Sequence, residues 1–116
     1  MNDFEKTLTR IRTFRDARDW MQFHNPKNLS ISICLEASEL LEHFQWKTME
    51  ESEAHAKASR DEISEEIADV AIYLLELADN LGIDLLAAVN TKLAKNEAKY
   101  PVEKAKGSAM KYTQLN

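Results

Sequence analysis

Two pairs of carboxylates have the residue types and the spacing to hold a divalent cation. Glu36 and Glu39 form one pair, Glu66 and Asp69 form the other, and each pair is three residues apart in a helix-favouring stretch. Residues three apart share a helix face, so two such pairs on facing helices would make a pocket of carboxylate oxygens. Oxygen-only sites favour Mg²⁺ or Mn²⁺, ions that are widely used to handle phosphate esters. Two solvated, Glu-rich helix faces are the alternative interpretation.

Ligand types argue against other metal centres. A di-iron helical bundle needs Glu-x-x-His on two helices, and the sequence has no such motif. Zinc sites use histidine and cysteine, whereas this chain has three scattered histidines and one cysteine, Cys34. The single cysteine also excludes an intrachain disulfide.

Aromatic and basic residues form two further groups. Trp20 and Trp46 each fall near the end of a predicted helix, where they could plug the core or sandwich a nucleobase by stacking, worth about 1–3 kcal/mol per base. Lys92, Asn96 and Lys99 share one face of a later helix. They could clamp phosphate oxygens or simply complement the helix dipole.

The elements that must position these residues are predicted to be helices. With only two Gly and two Pro in 116 residues, the composition favours an all-α protein, and the length fits one domain over residues 1–116. Apolar periodicity predicts helices over about 3–20, 28–46, 59–81 and 84–100, a connector at 47–59 and a tail at 101–116. Pro26, Gly82 and Pro101 are predicted to mark breaks, and Ser59 and Asp84 to cap helices.

Charge and hydropathy patterns exclude some classes of partner. Residues 31–84 carry 14 acidic and 3 basic groups between two basic ends, and the net charge is −5, which is not typical of a nucleic-acid binder. No apolar run approaches the roughly 20 residues of a membrane span, and no signal pattern is evident. We therefore expect a cytoplasmic protein that acts on neither nucleic-acid polymers nor membranes. Its modest size favours oligomerisation.

The four acids and much of the remaining chain resemble a known family. Glu36-Ala-Ser-Glu39 followed by Glu66-Ile-Ala-Asp69 resembles the ExxE…ExxD motif of the MazG-like, all-α nucleoside triphosphate pyrophosphohydrolases. The stretches 18–29, 44–47, 69–74, 96–101 and 111–113 resemble the dCTP pyrophosphatase branch of that family. One departure is Ile11, where vertebrate members carry a histidine of the nucleotide pocket.

The resemblance implies a fold and a reaction. The fold would be a four-helix bundle assembled as a dimer or a dimer of dimers, with sites at subunit interfaces. The reaction would be hydrolysis of a nucleoside triphosphate to the monophosphate and pyrophosphate, which cleans or limits the nucleotide pool.

The resemblance also implies roles for individual residues. The Mg²⁺ ligands and catalytic carboxylates would be Glu36, Glu39, Glu66 and Asp69. The base and sugar pocket would include Trp20, His24, Trp46 and Tyr73. Lys92 and Asn96 would lie near the phosphates or sugar. The competing hypothesis is a non-catalytic helical module that binds nucleotides or a partner protein.

Overall fold

The computed structural model describes residues 1–115, which form helices and turns only. The helices are α1 Asp3–Ala17, α2 Pro26–Glu42, α3 Met49–Ala58, α4 Arg60–Asn80, α5 Leu85–Lys99 and α6 Val102–Ala105. Short 3-10 turns occupy Met21–Phe23 and Tyr112–Gln114. The predicted all-α class is confirmed. The chain divides into two compact units, Met1–Gly82 and the residues from Ile83 onward, and each is described by itself.

Helix α4 is the centre of the first unit. It packs mainly on α2 and also contacts α1 and α3. Its apolar face buries Ile63 and Ala78, and α2 contributes Leu29, which is 1% exposed. This packing holds the acidic segments of α2 and α4 beside each other. The observed α4 differs from the prediction of 59–81 by one residue at each end.

Helix α1 ends at Ala17, three residues before the predicted end, because the chain adopts a Schellman motif. Asp19 takes a left-handed φ of 54°, and the backbone N–H groups of Asp19 and Trp20 donate to the carbonyls of Asp16 and Arg15. This reversal folds Trp20 back against Phe14, with ring centroids 5.7 Å apart in an edge-to-face arrangement. The motif therefore ends the helix and aims Trp20 at the same time.

Helix α2 begins and ends earlier than the predicted range of 28–46. Asn25 caps it by accepting a hydrogen bond from the backbone N–H of Asn28, and Pro26 occupies the first helical position. Proline is favoured there because its missing N–H would have no helical partner. The helix ends at Glu42, and residues 43–46 form a turn that carries Trp46.

The predicted connector over 47–59 contains a helix, α3. Thr48 and Glu51 form a capping box that satisfies two backbone donors at its start. Because α3 is short, its apolar residues give little periodicity. Ser59 is the N-cap residue of α4, as predicted, but its side chain makes no capping bond, and its Oγ lies 3.4 Å from His55 Nδ1.

The end of α4 and both ends of α5 lie close to their predicted positions. Gly82 adopts a left-handed φ of 69° after α4, and Asp84 caps α5 by accepting from the backbone N–H of Ala87. Helix α5 ends at Lys99, before Pro101. The tail contains α6 in addition to the 3-10 turn. Across residues 1–115, no helix is both long enough and apolar enough to span a membrane.

The left-handed residue at the end of α1 gives a test of the Schellman motif. We expect Asp19→Gly to leave the free energy of unfolding unchanged or to raise it by up to about 1 kcal/mol, because glycine adopts this conformation without strain. Asp19→Val should lower it by about 1–2 kcal/mol, since a β-branched side chain is strained there. Urea denaturation measures both. Gln22→Ala is the control, because it removes the Asp19–Gln22 hydrogen bond without changing φ. Equal stabilities for the Gly and Val variants would contradict the account.

Candidate functional site

Packing of α2 against α4 brings the two acidic pairs together. Carboxylate oxygens of Glu36, Glu39 and Glu66 all lie within 4.8 Å of one another. Asp69 follows Glu66 on α4, is exposed, and adds its negative charge to the field on Glu36 and Glu66. Three of the four predicted metal ligands therefore form one cluster, and the fourth lies beside it.

The cluster is electrostatically unsatisfied and fits a divalent cation. The Oε2 atoms of Glu36 and Glu66 are buried and have no hydrogen-bond partner. Partial burial, followed by interaction with Glu39, raises the pKa of Glu36 to about 7. The same causes raise the pKa of Glu66. A hard divalent cation would supply the missing partner for these oxygens.

An aromatic cavity of about 240 Å³ opens on one side of the cluster. Its lining residues are Ile11, Phe14, Arg15, Trp20, His24, Glu36, Asp69, Ile72, Tyr73 and Glu76. The His24 ring lies between two other aromatic rings, with centroids 6.2 Å from both Trp20 and Tyr73. Partial burial, followed by the charges of nearby acids, raises the pKa of the Tyr73 hydroxyl, so it stays protonated and able to donate.

Two buried charged residues, Glu76 and Arg15, position the His24 ring in the wall of this cavity. Glu76 is only 3% exposed, and His24 Nδ1 lies 2.9 Å and 2.8 Å from its two carboxylate oxygens. Arg15, also buried, places Nη1 3.9 Å from Glu76 Oε1 and pairs with Asp16 at 2.8 Å. These contacts fix the imidazole of His24 beside the cavity.

Sequence reasoning missed Glu76 and Arg15, although a signal existed for each. Glu76 continues the polar line Glu66, Asp69, Tyr73 by three more residues, so it shares their helix face. Arg15 follows Ile11 by four residues and therefore lies on an otherwise apolar face of α1. A charged residue on such a face must be paired when it is buried.

The acid cluster also borders a polar cavity of about 450 Å³. Glu39, Glu42, His43, Lys47, His55 and Glu66 line it. His43 from the end of α2 and His55 from α3 meet there, with Nδ1 of the former 2.9 Å from Nε2 of the latter. The four predicted ligands are thus divided: Glu36 and Asp69 line the aromatic cavity, and Glu39 and Glu66 line the polar one.

The remaining predicted site residues lie elsewhere. Trp46 is 87% exposed in the turn after α2 and lines neither of these two cavities. Lys92 is exposed and Asn96 half-buried on α5, which belongs to the second unit. The structure therefore groups Trp20, His24 and Tyr73 with the acids, whereas roles for Trp46, Lys92 and Asn96 stay predictions.

The fold and the site define a class: an all-helical protein whose carboxylate cluster is suited to a divalent cation and a phosphate ester. Residues 31–115 match the model of the MazG-like family, and the chain belongs to that family. The resemblance predicted from the acid motif is confirmed.

Individual relatives are similar over most of the chain. The chain is 44% identical to dCTP pyrophosphatase 1 of Bos taurus and 42% identical to that of Homo sapiens, in each case over 96% of this chain and 69% of the relative. It is also similar to the crystal structure of a pyrophosphatase from Archaeoglobus fulgidus, at 46% identity and a TM-score of 0.84. That match covers 87% of this chain and 94% of the other.

The raised pKa of Glu36 predicts how cation binding depends on pH. We expect Mn²⁺ to bind about tenfold more tightly at pH 8 than at pH 6, because Glu36, with a pKa of about 7, must lose its proton to act as a ligand. Titration calorimetry measures the affinity. Glu36→Gln should weaken binding and flatten its pH dependence. Equal affinities at the two pH values in the unmodified protein would contradict the prediction.

The same shift has a consequence for the cation-free protein. Its folded state holds the Glu36 proton more tightly than the unfolded chain does. The resulting stabilisation is complete below the ordinary pKa of 4.5 and is lost as the pH rises through about 7.

Proposed function

We propose that the chain hydrolyses deoxyribonucleoside triphosphates to the monophosphate and pyrophosphate at the acid cluster between α2 and α4. The relatives support this reaction: four curated dCTP pyrophosphatases match nearly the whole chain, and so does a solved pyrophosphatase. The predicted nucleoside triphosphate pyrophosphohydrolase is confirmed by them. The observation that carries the proposal is the position of the acids, which line both an aromatic and a polar cavity.

The aromatic cavity is proposed to receive the base and sugar. Trp20 offers a stacking surface and Tyr73 a hydroxyl donor, and the His24 imidazole is held in place by Glu76. Ile11 lines this cavity at the position where vertebrate members carry histidine. One polar group is therefore replaced by an apolar side chain, and we propose that base preference differs from that of the relatives named dCTP pyrophosphatase 1.

The cation is proposed to be Mg²⁺ or Mn²⁺. Glu36, Glu39 and Glu66 would hold it, with Asp69 completing the set from the edge of the cluster. When bound, such an ion neutralises phosphate charge and lowers the pKa of a coordinated water. The chain itself shields part of the site from bulk water, since the Oε2 atoms of Glu36 and Glu66 are buried.

The other residues that the family resemblance implies are proposed to bind substrate as well. Lys92 and Asn96 lie one turn apart on α5, so both can present donors to phosphate or sugar from one helix face. Trp46 is proposed to contact the base once a nucleotide is bound. The competing hypothesis of a non-catalytic module is disfavoured, because the matched relatives are pyrophosphatases.

We propose that the chain works as a homodimer or a pair of dimers, built on a four-helix bundle. Large apolar side chains on the first unit are open to solvent, including Leu35 at 60% and Ile67 at 53%. Light scattering should therefore give two or four times 13.3 kDa. A persistent monomer at micromolar concentration would contradict this assembly.

Product analysis tests the proposed reaction. We expect the chain with Mg²⁺ to release pyrophosphate and a nucleoside monophosphate from dNTPs, and a panel of normal and modified bases to reveal its preference. Glu39→Ala and Asp69→Ala should lower kcat/KM by about a hundredfold or more, because each removes a proposed cation ligand. Lys57→Gln, on the exposed surface of α3, is the control. Release of orthophosphate, full activity in the acid variants, or binding without turnover would overturn the proposal.

A further inference from the structure

Two histidines that line the polar cavity, His43 and His55, are hydrogen-bonded in series with Ser59, and none of the three has a role in the reaction proposed above. Ser59 Oγ lies 3.4 Å from His55 Nδ1, and His55 Nε2 lies 2.9 Å from His43 Nδ1. The Phe44 ring packs edge-on against His55, with centroids 6.0 Å apart, and both histidines are half-buried. Contacts from the turn after α2, from α3 and from the start of α4 therefore hold the two rings in place.

These hydrogen bonds leave Nε2 of His43 available for a ligand. Two neutral tautomer arrangements satisfy these contacts. In one of them the Ser59 hydroxyl donates to His55 Nδ1 and His55 Nε2–H donates to His43 Nδ1, which leaves the proton of His43 on Nε2, where an anionic ligand would accept it. The His43 ring lines the cavity that Glu39 and Glu66 also line, and Lys47 is a further lining residue. Two donors therefore converge beside the acid cluster.

The polarity of the two cavities matches the polarity of a nucleoside triphosphate. A base and sugar need apolar and aromatic surface, whereas terminal phosphates need hydrogen-bond donors and positive charge. Glu36 lines the aromatic cavity and Glu39 and Glu66 line the polar one, and their oxygens lie within 4.8 Å of one another, so the bond between the first two phosphates would lie at these acids. Three carboxylates, Glu39, Glu42 and Glu66, line the polar cavity, so an anion would enter it only with the cation bound.

We propose that the polar cavity is the subsite for the two terminal phosphates, and that His43 and Lys47 donate hydrogen bonds to them. His55 and Ser59 are positioning residues, because they act through His43. The proposal rests on the function proposed above and adds two substrate-binding residues to it. The family resemblance in this part of the chain covers Phe44–Lys47 and does not include His43. The role proposed for His43 therefore rests on its contacts in the structure.

A transition-metal site at the two histidines is the alternative, and the geometry disfavours it. Within residues 1–115, the ligand atoms that gather within 4.8 Å belong to Glu36, Glu39 and Glu66 and include neither imidazole. A cation at the histidine pair would therefore have two protein ligands, fewer than the three that catalytic zinc sites use.

Product inhibition separates the two ends of the substrate. In the presence of Mg²⁺, pyrophosphate should compete for the polar cavity and the nucleoside monophosphate for the aromatic one. We expect His43→Leu to raise the inhibition constant of pyrophosphate and the KM for the triphosphate by about ten- to a hundredfold, the usual effect of losing a hydrogen bond to a charged group. The inhibition constant of the monophosphate should change by less than about twofold, since that ligand makes no contact with His43.

Further variants test positioning and guard against misfolding. His55→Leu should raise the pyrophosphate constant less than His43→Leu does, and His55→Gln should restore it, because its amide N–H can replace Nε2–H. Lys47→Gln alters an exposed side chain, so it should fold normally and also raise the pyrophosphate constant. Lys57→Gln, which lies on α3 outside the cavity lining, should change neither constant.

Three results would overturn the subsite. The first is an unchanged pyrophosphate constant in both His43→Leu and Lys47→Gln. The second is a monophosphate constant that rises as much as the pyrophosphate constant. The third is tight Zn²⁺ binding that is lost in His43→Leu while pyrophosphate inhibition stays the same. These results differ from failure of the proposed function, which would appear as no pyrophosphate release by the unmodified protein.

Discussion

The constraint on which this structure depends is the enforced proximity of Glu36, Glu39 and Glu66. Packing of α2 on α4 holds their oxygens within 4.8 Å, although like charges at that distance repel and two of the oxygens lack hydrogen-bond partners. In the protein without a cation, burial and the neighbouring acids raise the pKa of Glu36 to about 7. A proton or a divalent cation must therefore compensate the cluster. This requirement couples the packing of the fold to the chemistry of the site.

The same carboxylates also divide the space around them. Glu36 and Asp69 line a cavity of aromatic rings, whereas Glu39 and Glu66 line a cavity that two histidines and a lysine also line. A nucleotide is itself divided in this way, with an apolar base at one end and charged phosphates at the other. The Schellman turn at Asp19 and the contact between Glu76 and His24 belong to this arrangement, because they position Trp20 and His24 at the aromatic cavity.

Sequence patterns predicted the parts of the fold that depend on long apolar periods. Helix α4 follows its apolar period closely. The breaks at Gly82 and Asp84 and the pairing of acids three residues apart depend on local sequence alone, so they could be predicted as well. Features set by tertiary contact were harder to predict. The weak apolar periodicity of α3 predicts a connector, although its Thr48–Glu51 capping box is visible in the sequence, and the contact between His43 and His55 depends on this helix.

The most direct test of the central claim is where a paramagnetic cation binds. Substoichiometric Mn²⁺ added to the protein should broaden the imidazole proton signals of both His24 and His43, because these rings line the two cavities that the acids separate. In a Glu36→Gln, Glu66→Gln double variant, both signals should stay sharp. Broadening that persists in the double variant, or that affects the ring on one side only, would contradict the account.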